Sequence, residues 1–176
     1  MIKFKRTAHQ EKHFLTLPFL ILLLTGCSKI EHHTNHNQKN MSKIQYKNPE
    51  GLFDPTPFAF SHSATASGNG NYVFISGQSG GEGPEHSLSG DFRVQVKTAL
   101  QNMVNVLKAS GLTTDHVLKI TILIVDHDQG KLTIWTEEMQ KVWKNHPFPA
   151  STLIPVPKLA LDGMLVEVDA IAFKPL

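Results

Sequence analysis

Cysteine is almost absent: Cys27 is the only one in 176 residues. An intramolecular disulfide is therefore excluded, as is a zinc or redox site built on paired cysteines. Long apolar runs are missing too. The longest, Phe14 to Leu24, is interrupted by Thr16 and Pro18, and its length of about 11 residues falls short of the roughly 20 needed to span a bilayer. Charged residues make up only 18% of the chain, and their signs are unevenly placed. The whole chain carries +2, but without residues 1–26 it has 13 Lys+Arg against 14 Asp+Glu. No basic footprint remains to attract a phosphate backbone. Aromatics are few, at 8%, and none interleaves with a basic stripe to form a base-stacking surface. Nucleic acid is not an expected partner. No P-loop, zinc-ligand spacing or nucleophile and base motif occurs, so neither a metal nor a cofactor is expected.

The N-terminal residues carry a different signal. Lys3, Lys5, Arg6 and Lys12 precede the apolar run, which ends in Leu24-Thr25-Gly26-Cys27. A basic start, a short apolar stretch and small residues before a cysteine read as a lipoprotein signal segment, 1–27, with Cys27 acylated as the new N-terminus. The expected location is the bacterial cell envelope, facing the periplasm or exterior, with membrane contact through the lipid anchor only. An incidental thiol is the plain alternative for Cys27. Translation from Met41 would instead give a shorter, cytoplasmic chain without cysteine; the ordered signal features favour the longer form. Residues 28–48 are polar, with too few large apolar side chains for a core, and read as a flexible tether. Its His32, His33 and His36 lack the fixed geometry that metal binding requires.

Periodicity organises the remainder, 49–176, as one domain. Pro49, Pro55 and Pro57 punctuate an extended start, Phe58 to Ser63 reads as an edge strand, and Gly68-Asn69-Gly70-Asn71 as a turn into a strand over Tyr72 to Ser76, together a hairpin. Gly80, Gly81, Gly83 and Pro84 suggest a mobile loop. Phe92, Val96, Ala99, Met103, Val106 and Leu107 recur at helical spacing over Asp91 to Ser110, with Ser89 or Asp91 as N-cap and Gly111 at the C-terminal end. A strand over 116–125 puts Leu118, Ile120, Ile122 and Ile124 on a fully apolar face, and Val117, Lys119, Thr121, Leu123 and Val125 on a mixed one. Asp126-His127-Asp128 reads as a turn whose aspartates cap the next helix. That helix, Lys131 to Asn145, has Leu132, Trp135, Met139 and Val142 as its buried stripe and is stopped by Pro147 and Pro149. Strands follow at Thr152 to Val156 and Met164 to Phe173. In the last, Val166, Val168, Ala170 and Ala172 point inward, which places Glu167 and Asp169 on the other face. This order predicts an α+β fold, two helices on one face of a mixed sheet, with the second face left for a partner.

Four segments recur in family order over roughly Asn48 to Lys174: Phe74-Ile75-Ser76-Gly77-Gln78, Ala99-Leu100-Gln101-Asn102, Pro149-Ala150 and Val166-Glu167-Val168-Asp169-Ala170-Ile171-Ala172. In them the chain resembles the Rid family (the RidA/YjgF group of imine and enamine deaminases). The resemblance implies a chorismate-mutase-like fold and a homotrimer with small-molecule clefts between subunits. It also implies site residues. Glu167 matches the glutamate that orients or deprotonates the attacking water. Ser76 and Gly77 match a backbone corner lining the cleft, and Phe60 aligns with a tyrosine that closes it from the neighbouring subunit. After Pro149-Ala150 the deaminases carry an arginine whose planar fork pairs with the substrate carboxylate; here the residue is Ser151.

A neutral hydroxyl cannot balance a carboxylate, so deamination of free imino acids is expected to be weak or absent, and the ligand neutral or anchored elsewhere. Lys119 and Lys158 are candidate substitute cations, although each also reads as a surface lysine; Arg93 reads as solvated and Asn102 as a structural hydrogen-bonder. Phe60, Tyr72, Phe74, Leu153 and Ile154 would give the cleft an apolar lining. Two readings stand: a hydrolytic deaminase of a reactive imine or enamine, or a ligand-binding trimer that has lost turnover.

Overall fold

Alternating apolar residues in three neighbouring strands and a stripe on each of two helices build the core. In chain order the elements are β1 (Lys43–Lys47), β2 (Ser63–Ser67), β3 (Gly70–Ser79), β4 (Gly81–Glu82), β5 (Ser87–Leu88), α1 (Phe92–Ala109), β6 (Val117–Val125), α2 (Gln129–Trp143), β7 (Ala150–Val156) and β8 (Val166–Pro175). The structure is a computed structural model that describes residues 43–144 and 147–176, all within the unit Gln38–Leu176. The signal segment, Cys27, the histidines of the tether and Met41 lie outside the described residues.

The four-stranded sheet runs β3-β8-β6-β7, with β6 and β7 parallel and the other two pairings antiparallel. Both helices cover one face. Val96, Ala99, Leu100, Met103 and Leu107 of α1 and Trp135, Met139 and Trp143 of α2 pack with Ile120, Ile122, Ile124, Val166, Val168, Ala170 and Ala172. This is the expected α+β arrangement. Asp91 caps α1 by accepting from the Val94 amide at 3.0 Å. Gly111 ends it with φ of 73°, a left-handed conformation that a side chain would strain, while the Leu112 amide reaches back to the Leu107 carbonyl at 2.8 Å. Asp128 caps α2 through the Lys131 amide at 2.7 Å, in keeping with the turn read at 126–128. That cap starts α2 two residues earlier than Lys131.

Several local expectations are corrected. The tether does not extend to residue 48, because Lys43–Lys47 is paired antiparallel with Ser63–Ser67. Its Tyr46 hydroxyl donates to the Asp115 and Val117 carbonyls, and burial, followed by the charge of Asp115, pushes that phenol up to about 12. Residues 58–62 are not a strand: Thr56–Phe58 is a single turn of 3-10 helix, Ser61 makes an isolated bridge to Ala150, and regular pairing starts only at Ser63, the first residue of β2. Nor do β2 and β3 form a hairpin ladder. Serine, alanine and threonine in β2 offer no large apolar face, so β2 pairs with β1, whereas Val73 and Ile75 draw β3 to the core beside β8. The glycine-rich stretch expected as a loop contains a short hairpin, β4 with β5. Val117, rather than Leu118, joins the core, because the ladder shifts register between Val117 and Lys119.

One fully buried polar side chain ties α1 to the loop before β8. Gln95 Nε2 donates to the Ser89 carbonyl at 2.6 Å and the Gly163 carbonyl at 2.7 Å, and Oε1 accepts from the Leu165 amide at 2.8 Å. Gln95→Leu removes all three bonds and orphans two carbonyls and an amide, so it is expected to cost about 3 kcal/mol, which corresponds to a fall in Tm of roughly 10 °C. Thermal unfolding followed by circular dichroism checks this; a fall below about 2 °C would mean that water replaces the amide.

Candidate functional site

Ser151 and Leu153 alternate on β7 with Thr152 and Ile154, and parallel pairing decides which way each points. Ser151 is in register with Ile120 and Leu153 with Ile122, both buried under the helices. Ser151 therefore belongs to the helix-covered face. There it lines a pocket of about 280 Å³ with Ile122, Leu132, Trp135 and Leu153, closed by Phe53, Phe58 and Phe60. The three phenylalanine rings meet edge to face: Phe53 lies 6.2 Å from Phe58 at 79° and 5.9 Å from Phe60 at 63°. His62 braces them, its ring 5.3 Å from that of Phe53 and its Nε2 3.0 Å from the Phe53 carbonyl. Phe60 thus closes the pocket of its own chain, where the resemblance implies that it closes a neighbour's. Among the described residues, no charged side chain lines this pocket.

Glu167 sits elsewhere. It pairs with Leu123 on one side and Ser79 on the other, on the sheet face away from the helices. Opposite Asp169, β3 bulges: Ile75 faces Ala170 and Gln78 faces Val168, leaving Ser76 and Gly77 as the two residues of the bulge. The bulge carbonyls are occupied by Gln78, whose Nε2 donates to Ser76 at 3.0 Å and Gly77 at 3.2 Å. A Cβ at Gly77 would overlap the Glu167 carboxylate, so a side chain there would have to displace it. The Glu167 carboxylate thus lies against Gly77 of the bulge.

The site residues read from sequence fall into two groups, Phe60 with Ser151 and Leu153, and Ser76 with Gly77 and Glu167. Within one chain they occupy opposite faces of the sheet. Tyr72, Phe74 and Ile154 lie on the open face, 56%, 75% and 42% exposed, and so do not line the Ser151 pocket. Lys119 is on that open face as well, donating to Thr152 Oγ1 at 2.6 Å and the Ile120 carbonyl at 2.7 Å. Burial holds its ammonium below the usual lysine range against the opposing pull of Asp169. Lys158 is exposed beyond β7 and is not part of the pocket lining. Asn102 is structural, as expected: its Nδ2 donates to the Ser79 and Gly81 carbonyls.

Arg93 is more than a solvated cation. Its guanidinium lies 2.7 Å from both Glu137 and Glu138, fastening α1 to α2, and Lys141 adds a third contact at 2.8 Å. Burial works to raise the Glu138 pKa, but the bonds from Lys141 and Arg93 prevail and hold it below the ordinary carboxylate range. A carboxyl depressed on folding adds stability that is fully present above its unfolded value, near 4.3, and is lost as pH falls through the folded value. The stability gap between the native protein and Glu138→Gln is therefore expected to be largest near pH 7 and to close toward pH 3, as urea unfolding at several pH values would measure.

Phe53, Phe58, Leu132 and Trp135 complete the pocket, and sequence does not mark them as site residues. Leu132 and Trp135 are visible there only as a helix stripe. Phe53 and Phe58 lie among prolines in a segment without periodicity.

Two helices on one face of a mixed sheet, an apolar pocket at one strand edge and a carboxylate beside a bulge near the other define an α+β protein suited to small molecules. The chain belongs to the Rid (YjgF) family: the family model described as Endoribonuclease L-PSP matches residues 55–174. It is similar to the 2-iminobutanoate/2-iminopropanoate deaminase of Homo sapiens, 32% identical over 103 residues that cover 58% of this chain and 72% of that protein. A RutC family protein of Pyrococcus horikoshii is 30% identical over 107 residues, 60% of this chain and 81% of its own. Among solved structures, a Rid-family protein of unknown function from Yersinia pestis matches with a TM-score of 0.68 at 26% identity, covering 73% of this chain and 97% of that one.

Proposed function

We propose that this protein hydrolyses a reactive imine or its enamine tautomer, releasing ammonia, and does so as a homotrimer. The observation that carries the reading is the Glu167 carboxylate, lying on the open sheet face against the side-chain-free Gly77. A carboxylate so placed can take a proton from water as the oxygen attacks the imine carbon, then return it to the departing ammonia. Exposed Tyr72, Phe74 and Ile154 on that face call for a covering partner, and a second copy of the sheet supplies one. The reading further requires that assembly bring the Glu167 edge of one chain to the Ser151 pocket of another, because within one chain the two lie on opposite faces of the sheet. Because the pocket lining holds no cation, free imino acids are poor substrates.

The test pairs two measurements on the purified protein, its mass in solution and its rate of ammonia release from imines generated in place. A monomer without turnover on any imine would remove the proposal. The cation-free lining also favours a second reading, a ligand-binding trimer without turnover, which predicts ligand binding that survives loss of the Glu167 carboxylate.

The Cys27 segment supports a further part of the reading, that the mature protein is anchored to the cell envelope through a lipid. Labelled palmitate is expected to enter the full-length protein and not Cys27→Ala. Equal absence of label from both would favour the shorter cytoplasmic form starting at Met41.

A further inference from the structure

We propose that the Ser151 pocket selects an uncharged imine bearing an aromatic or comparably apolar group, R–CH=NH, and that the reaction supplying it is the oxidation of a primary amine rather than of an amino acid. The inference rests on the deaminase reading and names its substrate class.

Three features of the pocket carry it. The first is charge. The nearby ammonium groups are engaged elsewhere: Lys119 is on the opposite sheet face, and Lys131 donates to the Val125 and Asp126 carbonyls at 2.7 and 2.9 Å. A substrate carboxylate in this lining would be desolvated and unpaired, which is costly, whereas a neutral imine has no such group. The second is the polar inventory. Among the described residues Ser151 contributes the one hydroxyl of the lining, and a neutral imine presents one lone pair and one N–H on nitrogen; a hydroxyl, both donor and acceptor, can meet either without a charge. The third is the wall. Phe53 and Phe58 line the pocket and are 60% and 46% exposed, and the edge-to-face geometry of Phe53 with Phe58 and Phe60 can be continued by a further ring. A volume of about 280 Å³ lies at the lower edge of the roughly 300–1,000 Å³ usual for ligand sites, so one ring and a short arm fill it.

The chemistry then identifies the preceding reaction. An imine without a carboxylate does not come from an amino acid that keeps its carboxyl group. It forms when a primary amine R–CH2–NH2 gives two electrons and two protons to an oxidase cofactor. Hydrolysis, R–CH=NH + H2O → R–CHO + NH3, leaves an aldehyde.

The experiment uses the full chain and two imines generated in place, phenylmethanimine from benzylamine with a flavin amine oxidase, and 2-iminopropanoate from alanine with an amino-acid oxidase. Initial ammonia release is read above spontaneous hydrolysis. In parallel, benzamide and benzoate are titrated by tryptophan fluorescence, which Trp135 in the pocket wall reports. At least tenfold faster release from phenylmethanimine, weakened at least fivefold by Phe53→Ala, is expected. Release from 2-iminopropanoate alone would overturn the inference and leave the deaminase reading standing. If neither imine is hydrolysed faster but benzamide binds at least tenfold more tightly than benzoate, the deaminase reading falls and the ligand class stands. If benzamide and benzoate bind alike and neither imine turns over, both are overturned.

Discussion

Ser151→Arg is expected to raise kcat/KM for 2-iminopropanoate by roughly tenfold to a hundredfold. From its place on β7 the new side chain enters a pocket walled by Phe53, Phe58 and Phe60, where a guanidinium can stack on a ring and present its fork to a carboxylate. A charge-assisted pair contributes about 1.5–3 kcal/mol, and each 1.4 kcal/mol is a factor of ten. The same substitution should slow phenylmethanimine, because the arginine stem occupies much of the space that a ring would fill. The two substrates therefore move in opposite directions, which a general gain or loss of folded protein cannot imitate. Ammonia release with each imine checks this. Native protein that already hydrolyses 2-iminopropanoate as fast as Ser151→Arg would sink the argument from the missing cation and direct attention to Lys119, the partly buried ammonium of the open face.

The sheet and helices are legible in the sequence because burial there follows simple periods. Val166, Val168, Ala170 and Ala172 alternate in β8, and α1 repeats at three and four residues, so the spacing of apolar residues alone marks each buried face. Where a period is broken, the reading fails. The bulge at Ser76 and Gly77 and the register shift before Lys119 each turn a neighbour to the other face, and neither leaves a mark in hydrophobicity. Strand β1, Lys-Ile-Gln-Tyr-Lys, contributes only two half-buried side chains, Ile44 and Tyr46, and its polar composition hides it within the tether. Gln95 is invisible for a related reason: a glutamine between two apolar helix positions reads as solvated, yet this one is fully buried with three bonds. For the site, sequence names Ser151, Phe60 and Glu167 individually. It does not show that Ser151 and Glu167 lie on opposite faces of one sheet, because that depends on which strands are neighbours. On the proposed reading a single chain carries two half-sites, which would make oligomer formation a matter of chemistry as well as of covering apolar surface.

Glu167→Gln is expected to lower turnover of phenylmethanimine by about 10²–10⁴-fold, the range usual for loss of a positioned general base, while leaving Tm within a few degrees. The two halves of this prediction come from the same geometry. Glu167 is half-buried, and glutamine preserves its shape against Gly77, so the bulge need not move. Glutamine cannot accept a proton at neutral pH, however, so the attacking water keeps its own. A companion variant separates chemistry from position. Gly77→Ala keeps the carboxylate but places a Cβ where the carboxylate now lies, so it is expected to slow turnover by displacing the base, and a shift in KM would accompany the fall in kcat. Turnover undiminished in Glu167→Gln would exclude the carboxylate as the base. Unchanged affinity for benzamide in both variants would then leave a binding protein, with the Ser151 pocket as its functional part and the bulge as a device for bending β3.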